Sequence, residues 1–215
     1  MNEVTQSSKG MGIIMAENPQ AVAISGSYRK GGTVDSVVSE ILEGLRAQGV
    51  DCQTVYLRDC HIEFCTNCRN CLQVPGTDRG NCPFRDDMNR ILDLVEAADY
   101  LILGAPTNAG NANALTRKFL ERCVCFAYWP WGSRNPVLRN PAKPRKAILV
   151  SASGAPLLIG RYFNGTLKAL KLLAAQLGAR PVGDIWVGGV INKEIRLPTR
   201  IKAKCARLAH KMVGA

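Results

Sequence analysis

The chain has 215 residues, 47% hydrophobic and 21% charged, the composition of a globular protein with one sizeable core. Its apolar runs, such as residues 147–150, fall far short of the roughly 20 residues that a membrane-spanning helix needs, and two histidines are too few for a histidine-ligated metal barrel. The net charge of +11 is placed unevenly: residues 1–121 hold 11 Lys/Arg against 15 Asp/Glu, a net −4, and residues 122–215 hold 17 against 2, a net +15. No acidic residue occurs between Arg122 and Gly183, so part of the C-terminal half presents a positive field to anions. Zinc-finger spacing, an RNP-like aromatic run and a helix-turn-helix pattern are all missing, and a nucleic-acid partner is not expected. Nine cysteines, an odd number clustered in one segment, together with residues 1–20 lacking an apolar signal core, lead to the expectation of a reducing, cytoplasmic setting.

Residues 1–19 read as a flexible tail and residues 20–215 as one domain. Residues 21–25 (AVAIS) form an apolar run that ends in Gly26-Ser27 and leads through a glycine-rich loop to residues 34–48, whose Val37, Val38, Ile41, Leu42 and Leu45 recur at helical spacing. Strand signals follow at 52–57, 101–103, 146–151 and 181–187, and helix signals at 86–98, 111–126, 167–177 and 195–213. Five strands alternating with helices predict a parallel sheet covered on both faces, because right-handed crossovers place the helices that way. The expected fold is α/β, a doubly wound five-stranded sheet of flavodoxin-like order 2-1-3-4-5, which binds ligands outside the carboxyl ends of its strands. Two segments exceed ordinary connections: residues 58–85, which hold a cysteine cluster, and residues 128–145, which hold Tyr128, Trp129 and Trp131 among basic residues including Lys143.

The loop after the first strand combines Ser25, Ser27, Arg29, Lys30 and Thr33 with three glycines and opens directly into a helix. Small residues let backbone amides approach a phosphate, the hydroxyls and cations add donors and charge, and a helix N-terminus favours an anion. Neither a Walker A spacing nor a G-x-G-x-x-G fingerprint is present. After the third strand, Pro106, Thr107, Asn108, Ala109, Gly110 and Asn111 make a shaped loop whose amides suit a ring edged with N and O atoms. Ser151, Ser153 and Gly154, after the fourth strand, are expected to close the same site.

These segments resemble those of the NADPH-dependent FMN reductases of flavodoxin-like fold and, within them, the iron–sulfur flavoproteins and their cluster-free relatives. The resemblance spans nearly all of residues 20–190 and rests on GSYRKGGT against G-S-P-R-x-G-G-N-T, on CTNCRNC followed by Asp86-Asp87-Met88, and on GAPTNAGNANALTRKFLER. Tyr28 stands where the family has Pro, and Thr33-Val34 where it has Asn-Thr. The resemblance implies that Ser27, Arg29 and Thr33 hold the FMN phosphate, and that residues 106–111 border the isoalloxazine. It further implies that NAD(P)H is the co-substrate, with a quinone, flavin or similar small molecule as electron acceptor. The rival is an electron carrier of iron–sulfur flavoprotein or flavodoxin type working between protein partners. No catalytic acid or base is expected, since the cofactor carries the chemistry.

Cys65, Cys68 and Cys71 are spaced by two residues each, and Cys82 follows ten residues later. Four thiolates so arranged can supply the corners of a [4Fe–4S] cluster. A zinc site that draws on Cys60 or His61 competes, as do free thiols in a loop that caps the flavin site. Spacing alone does not decide metal content, and the free-thiol reading is preferred on that ground. A ring-stacking tyrosine usual in the family is missing, so Trp129 or Trp131 is expected to cover the flavin from a second subunit of a homodimer or homotetramer. Residues 128–145 also suit a contact with a membrane surface.

Overall fold

The expected alternation is present in the computed structural model, which describes residues 18–142, 144–192 and 194–214. Most of the expected tail, and Lys143 of the aromatic and basic segment, therefore lie outside the described residues. In chain order the first half contains β1 (Gln20–Ser25), α1 (Thr33–Arg46), β2 (Asp51–Tyr56), α2 (Met88–Ala97), β3 (Tyr100–Asn108), β4 (Asn111–Ala112) and α3 (Ala114–Arg122). The second half contains β5 (Ala127–Tyr128), β6 (Val137–Leu138), β7 (Arg145–Ala152), α4 (Leu157–Tyr162), α5 (Thr166–Gln176), β8 (Ala179–Val187) and α6 (Thr199–Val213).

The principal sheet runs β2-β1-β3-β7-β8, all parallel, which is the flavodoxin-like order 2-1-3-4-5. Side chains alternate across a strand, so each strand feeds two cores. Val22 and Ile24, Leu101 and Leu103, and Ala147 and Leu149 join α2, α3 and α5 on one face. Ala21 and Ala23, Ile102, and Ile148 and Val150 join α1 and α6 on the other. On the edge strand β8, Pro181 has no amide to offer the ladder, and the pairing with β7 shifts register between Ala147 and Ile148, opposite Pro181 and Gly183.

Three expectations are corrected. The helix expected at 111–126 is shorter, because Asn111–Ala112 turns back on β3 and Cys123–Phe126 tightens into a 3₁₀ turn, placing Cys123 and Cys125 beyond α3. The last helix begins at Thr199 rather than 195, after Pro198. A short helix, α4, stands where none was expected and carries Leu158, Ile159 and Tyr162 exposed, followed by an exposed Phe163. Among the described residues no helix is long and apolar enough to cross a membrane.

Candidate functional site

The loop between β1 and α1 is wrapped around a buried carboxylate. Asp35, in the first turn of α1, accepts from Ser25 Oγ at 2.6 Å, from the Gly31 amide at 3.1 Å and from Arg58 Nη1 at 2.9 Å. Arg58, just beyond β2, also donates to the Ser27 carbonyl at 3.0 Å and lies over the Tyr56 ring, 4.3 Å from its centroid. Gly31 takes the left-handed conformation (φ 65°) that the turn requires. Gly32 then caps α1 with no side-chain acceptor on the helix amides, leaving a helix N-terminus suited to an anion. Ser27 Oγ accepts from the Arg29 amide at 3.2 Å and donates to the Arg29 carbonyl at 3.0 Å, so its hydroxyl shapes the loop.

This loop is tied to the next one through Asn113. Its amide nitrogen donates to the Gly26 carbonyl at 2.6 Å, while its oxygen accepts from the Thr116 amide and hydroxyl as the cap of α3. The approach is so close that a Cβ on residue 26 would sit 2.0 Å from Thr116 Oγ1, and only glycine fits there. The expected loop 106–111 proves to be mostly a hairpin. β3 continues to Asn108, Ala109 and Gly110 make the turn with φ 46° and 74°, and Asn108 pairs with Asn111. Thr107 Oγ1 lies 2.9 Å from Thr166 Oγ1 at the start of α5, and Ser151 Oγ donates to the Ala105 carbonyl at 2.8 Å.

A cavity of about 180 Å³ at the carboxyl end of the sheet gathers Ser27, Arg29, Thr33, Pro106, Thr107, Asn108, Ser153 and Gly154, with Gly32 and Val190. These come from the three loops singled out in the sequence. Six candidate residues are not among its lining: Ser25 and Ser151 are buried supports, Lys30 is exposed, and Ala109, Gly110 and Asn111 form the hairpin tip and return. Neither histidine lines it. A larger hollow of about 570 Å³ lies at the opposite end of the sheet, lined by Glu96, Asp99, Arg145 and Lys146 among others and remote from the three loops singled out in the sequence.

The cysteine segment is more ordered than its polar composition suggests. Ile62, Cys71 and Leu72 are buried in the core that holds α2, α3 and α5. Arg79 pairs with Asp93 and Glu96 of α2. Burial, then the neighbouring thiols of Cys82, Cys65 and Cys68, pushes the Cys71 thiol up to about 11. Among the described residues no three His, Cys, Asp or Glu side chains are gathered as a site for one ion, as zinc needs with each sulfur about 2.3 Å from a single centre. Arg69, within the motif, has its guanidinium between Trp129 and Trp131, 4.2 and 4.1 Å from their centroids, so the aromatic pair clamps the cysteine segment within its own chain. Burial tends to raise the Asp86 carboxyl, but the Arg122 guanidinium and the amides of Glu63 and Met88 outweigh it and hold it below the usual carboxylate range.

A family model described as NADPH-dependent FMN reductase matches residues 19–189. The chain belongs to the NADPH-dependent FMN reductase family. An iron–sulfur flavoprotein of Archaeoglobus fulgidus is 33% identical over 177 residues, covering 82% of this chain and 71% of that protein. Shorter matches to further iron–sulfur flavoproteins span about half the length of each. The NAD(P)H:quinone oxidoreductase of Methanothermobacter marburgensis shares the fold, with a TM-score of 0.66 at 16% identity over 93% of this chain and 98% of the other. So does an FMN-dependent NADH-azoreductase from Bacillus anthracis solved with FMN, with a TM-score of 0.62 at 13% identity over 92% and 100%.

The sequence reading assigned no role to the residues that hold these segments in shape: Asp35 and Arg58 went unnoticed, and Asn113, Asp86 and Arg122 entered only as part of quoted motifs. Asp35 carried a usable signal, a carboxylate beside Val34 and Val38 on the inward face of α1. The others are set by contacts across 23 to 87 residues, for which spacing offers no clue.

Proposed function

We infer that this reductase-family chain is an FMN-dependent NAD(P)H oxidoreductase that passes reducing equivalents on to a quinone, a free flavin or a similar small acceptor. The convergence of the strand-one, strand-three and strand-four loops on one cavity at the N-terminus of α1 carries this reading. Bound there, the flavin supplies the hydride chemistry. The chain supplies the hold on it: the Thr33 hydroxyl, the Arg29 cation and the α1 amides meet the phosphate, with Ser27 fixing their loop. A cavity of about 180 Å³ is smaller than the roughly 300–1,000 Å³ usual for ligand sites; it would take the phosphate end of the flavin, and Pro106, Asn108 and Gly154 would border the rest. Arg29→Ala removes a charge-assisted contact worth about 1.5–3 kcal/mol and should weaken FMN binding by about 10- to 150-fold. Flavin fluorescence quenching measures it, and an unchanged dissociation constant would place the phosphate elsewhere.

A second element of the reading is favoured by the four cysteines of the motif together with the similarity to iron–sulfur flavoproteins. Cys65, Cys68, Cys71 and Cys82 fit the donor set of a [4Fe–4S] cluster, whose ligands sit at separate corners rather than around one ion. Spacing alone preferred free thiols, and the similarity to iron–sulfur flavoproteins is what supports the cluster here. A bound cluster would supply single-electron transfer, and Cys71, whose thiol burial pushes up, would have to ligate it as the thiolate. Cys68→Ser should then purify with iron reduced from near stoichiometric to background while flavin content stays within twofold. Equal iron in both proteins, or none in anaerobically prepared wild type, would return the segment to free thiols.

A further inference from the structure

Arg122, the last residue of α3, buries its guanidinium against both ends of the cysteine segment, with its side chain 2% exposed and that of Asp86 1% exposed. Nη1 donates to Asp86 and, at 2.9 Å, to the Glu63 carbonyl, two residues before Cys65. Nη2 donates to Asp86 Oδ1 at 3.2 Å and to Cys82 Sγ at 3.5 Å. The Phe84 ring lies 5.0 Å from the guanidinium carbon. One buried side chain thus ties the chain just before the first cysteine of the motif to the sulfur of the last. Closing the ion pair with Asp86 does not require the donor aimed at sulfur. A neutral thiol is a weak acceptor, whereas a thiolate draws such a donor strongly.

Resting on the cluster reading above, we propose that Arg122 is the positioning residue for the Cys82 ligand, and that its N–H···S hydrogen bond raises the reduction potential of the cluster. The step concerned is the gain of one electron, with no bond made or broken and no proton moved. The reduced cluster is the more negative form, so a donor on a ligand sulfur stabilises it more than the oxidised form. Asp86 neutralises the guanidinium, which leaves the directed N–H rather than a net charge as the acting element. The two partners therefore work in opposite directions: losing Arg122 lowers the potential, and losing the Asp86 charge raises it. A purely structural clamp has no such opposition of sign.

The test uses anaerobically purified full-length protein, with dithionite as reductant and the reduced cluster followed by EPR against solution potential. Wild type is compared with Arg122→Lys, with Asp86→Asn, and with the double variant Arg122→Gln with Asp86→Asn, which leaves no unpaired buried charge to unfold the segment. Iron and acid-labile sulfide are measured first. The expected result is near-stoichiometric iron in wild type and in the double variant. Arg122→Lys and the double variant should be harder to reduce by about tenfold in the equilibrium, about 59 mV for a one-electron couple, and Asp86→Asn easier. Full iron with equal potentials would overturn the role of Arg122 and leave the cluster standing. Loss of iron from both Arg122 variants would make the residue structural and overturn the tuning. Wild type without iron would sink the cluster reading itself, and this inference with it.

Discussion

Arg58→Met is expected to lower the stability of the fold by about 3 kcal/mol and to weaken flavin binding at the same time. Removing one member of a buried ion pair typically costs about 3–5 kcal/mol because the other charge stays behind without its partner. The lower end applies here, since Asp35 would keep its hydrogen bonds from Ser25 Oγ and the Gly31 amide. Methionine replaces much of the aliphatic stem beside Tyr56, so the loss reports on the guanidinium rather than on a cavity. The same group fixes the Ser27 carbonyl at 3.0 Å, which couples stability to the shape of the phosphate loop. Urea denaturation and an FMN titration on one preparation measure both effects. A change in stability below about 1 kcal/mol with unaltered FMN affinity would show that the loop holds its shape without the pair, against the small median worth of exposed pairs only. Asp35→Asn provides the complementary case: it keeps an acceptor for Ser25 and should cost less than Arg58→Met.

The parts legible in the sequence are those governed by local rules. Residues 21–25 and 147–150 are apolar on both faces, as strands buried between two helical layers must be, and this pattern marked them as buried parallel strands. The phosphate-type loop was equally plain, because glycines, hydroxyls and a following amphipathic helix are contiguous. The hairpin at Asn108 and Asn111 was not. Its turn puts a non-glycine, Ala109, at positive φ, where sequence gives no reason to expect it. The helix expected across 111–126 failed at both ends for related reasons: Asn113 leaves the strand to cap α3, and Cys123–Phe126 bends to put Cys123 and Cys125 into the core. Trp129 and Trp131, expected to reach a second subunit, hold Arg69 between them, 60 and 62 residues earlier in the chain. Trp131 remains 66% exposed beyond that contact. The surplus of basic residues led to the expectation of a positive field toward anions, and Arg122, Arg139 and Arg145 turn out to be drawn inward, where they hold backbone carbonyls.

Arg139 is the clearest of these, and Arg139→Met should release the cysteine segment from the rest of the domain. The side chain is 7% exposed, and among the described residues it has no carboxylate partner. Its charge is met by five carbonyl oxygens. Nε donates to Cys125 and Ala127, both at 3.2 Å, Nη1 to Gly76 at 3.0 Å, and Nη2 to Cys71 at 3.2 Å and Val74 at 2.8 Å. Carbonyls left unsatisfied in a buried setting cost about 1–3 kcal/mol each. Five such losses, about 5–15 kcal/mol together, are comparable to the whole stability of a domain, so the segment should open and let water in rather than bear them. The global loss is then limited to about 3 kcal/mol, the worth of the contacts that opening gives up. Hydrogen exchange separates this outcome from general unfolding: amides at 71–80, including Gly80, which donates to the Cys125 carbonyl at 2.8 Å, should lose protection, while those of β1, β3 and β7 keep theirs. Flavin binding should survive, because the phosphate loop shares none of these bonds, whereas any iron held by Cys71 should be lost. Arg139→Lys should not rescue the segment, since a single ammonium cannot reach carbonyls spread around the plane of a guanidinium. Unchanged protection at 71–80 in Arg139→Met would mean that the turn at Asn70–Leu72 and the ion pairs of Arg79 hold the segment without it.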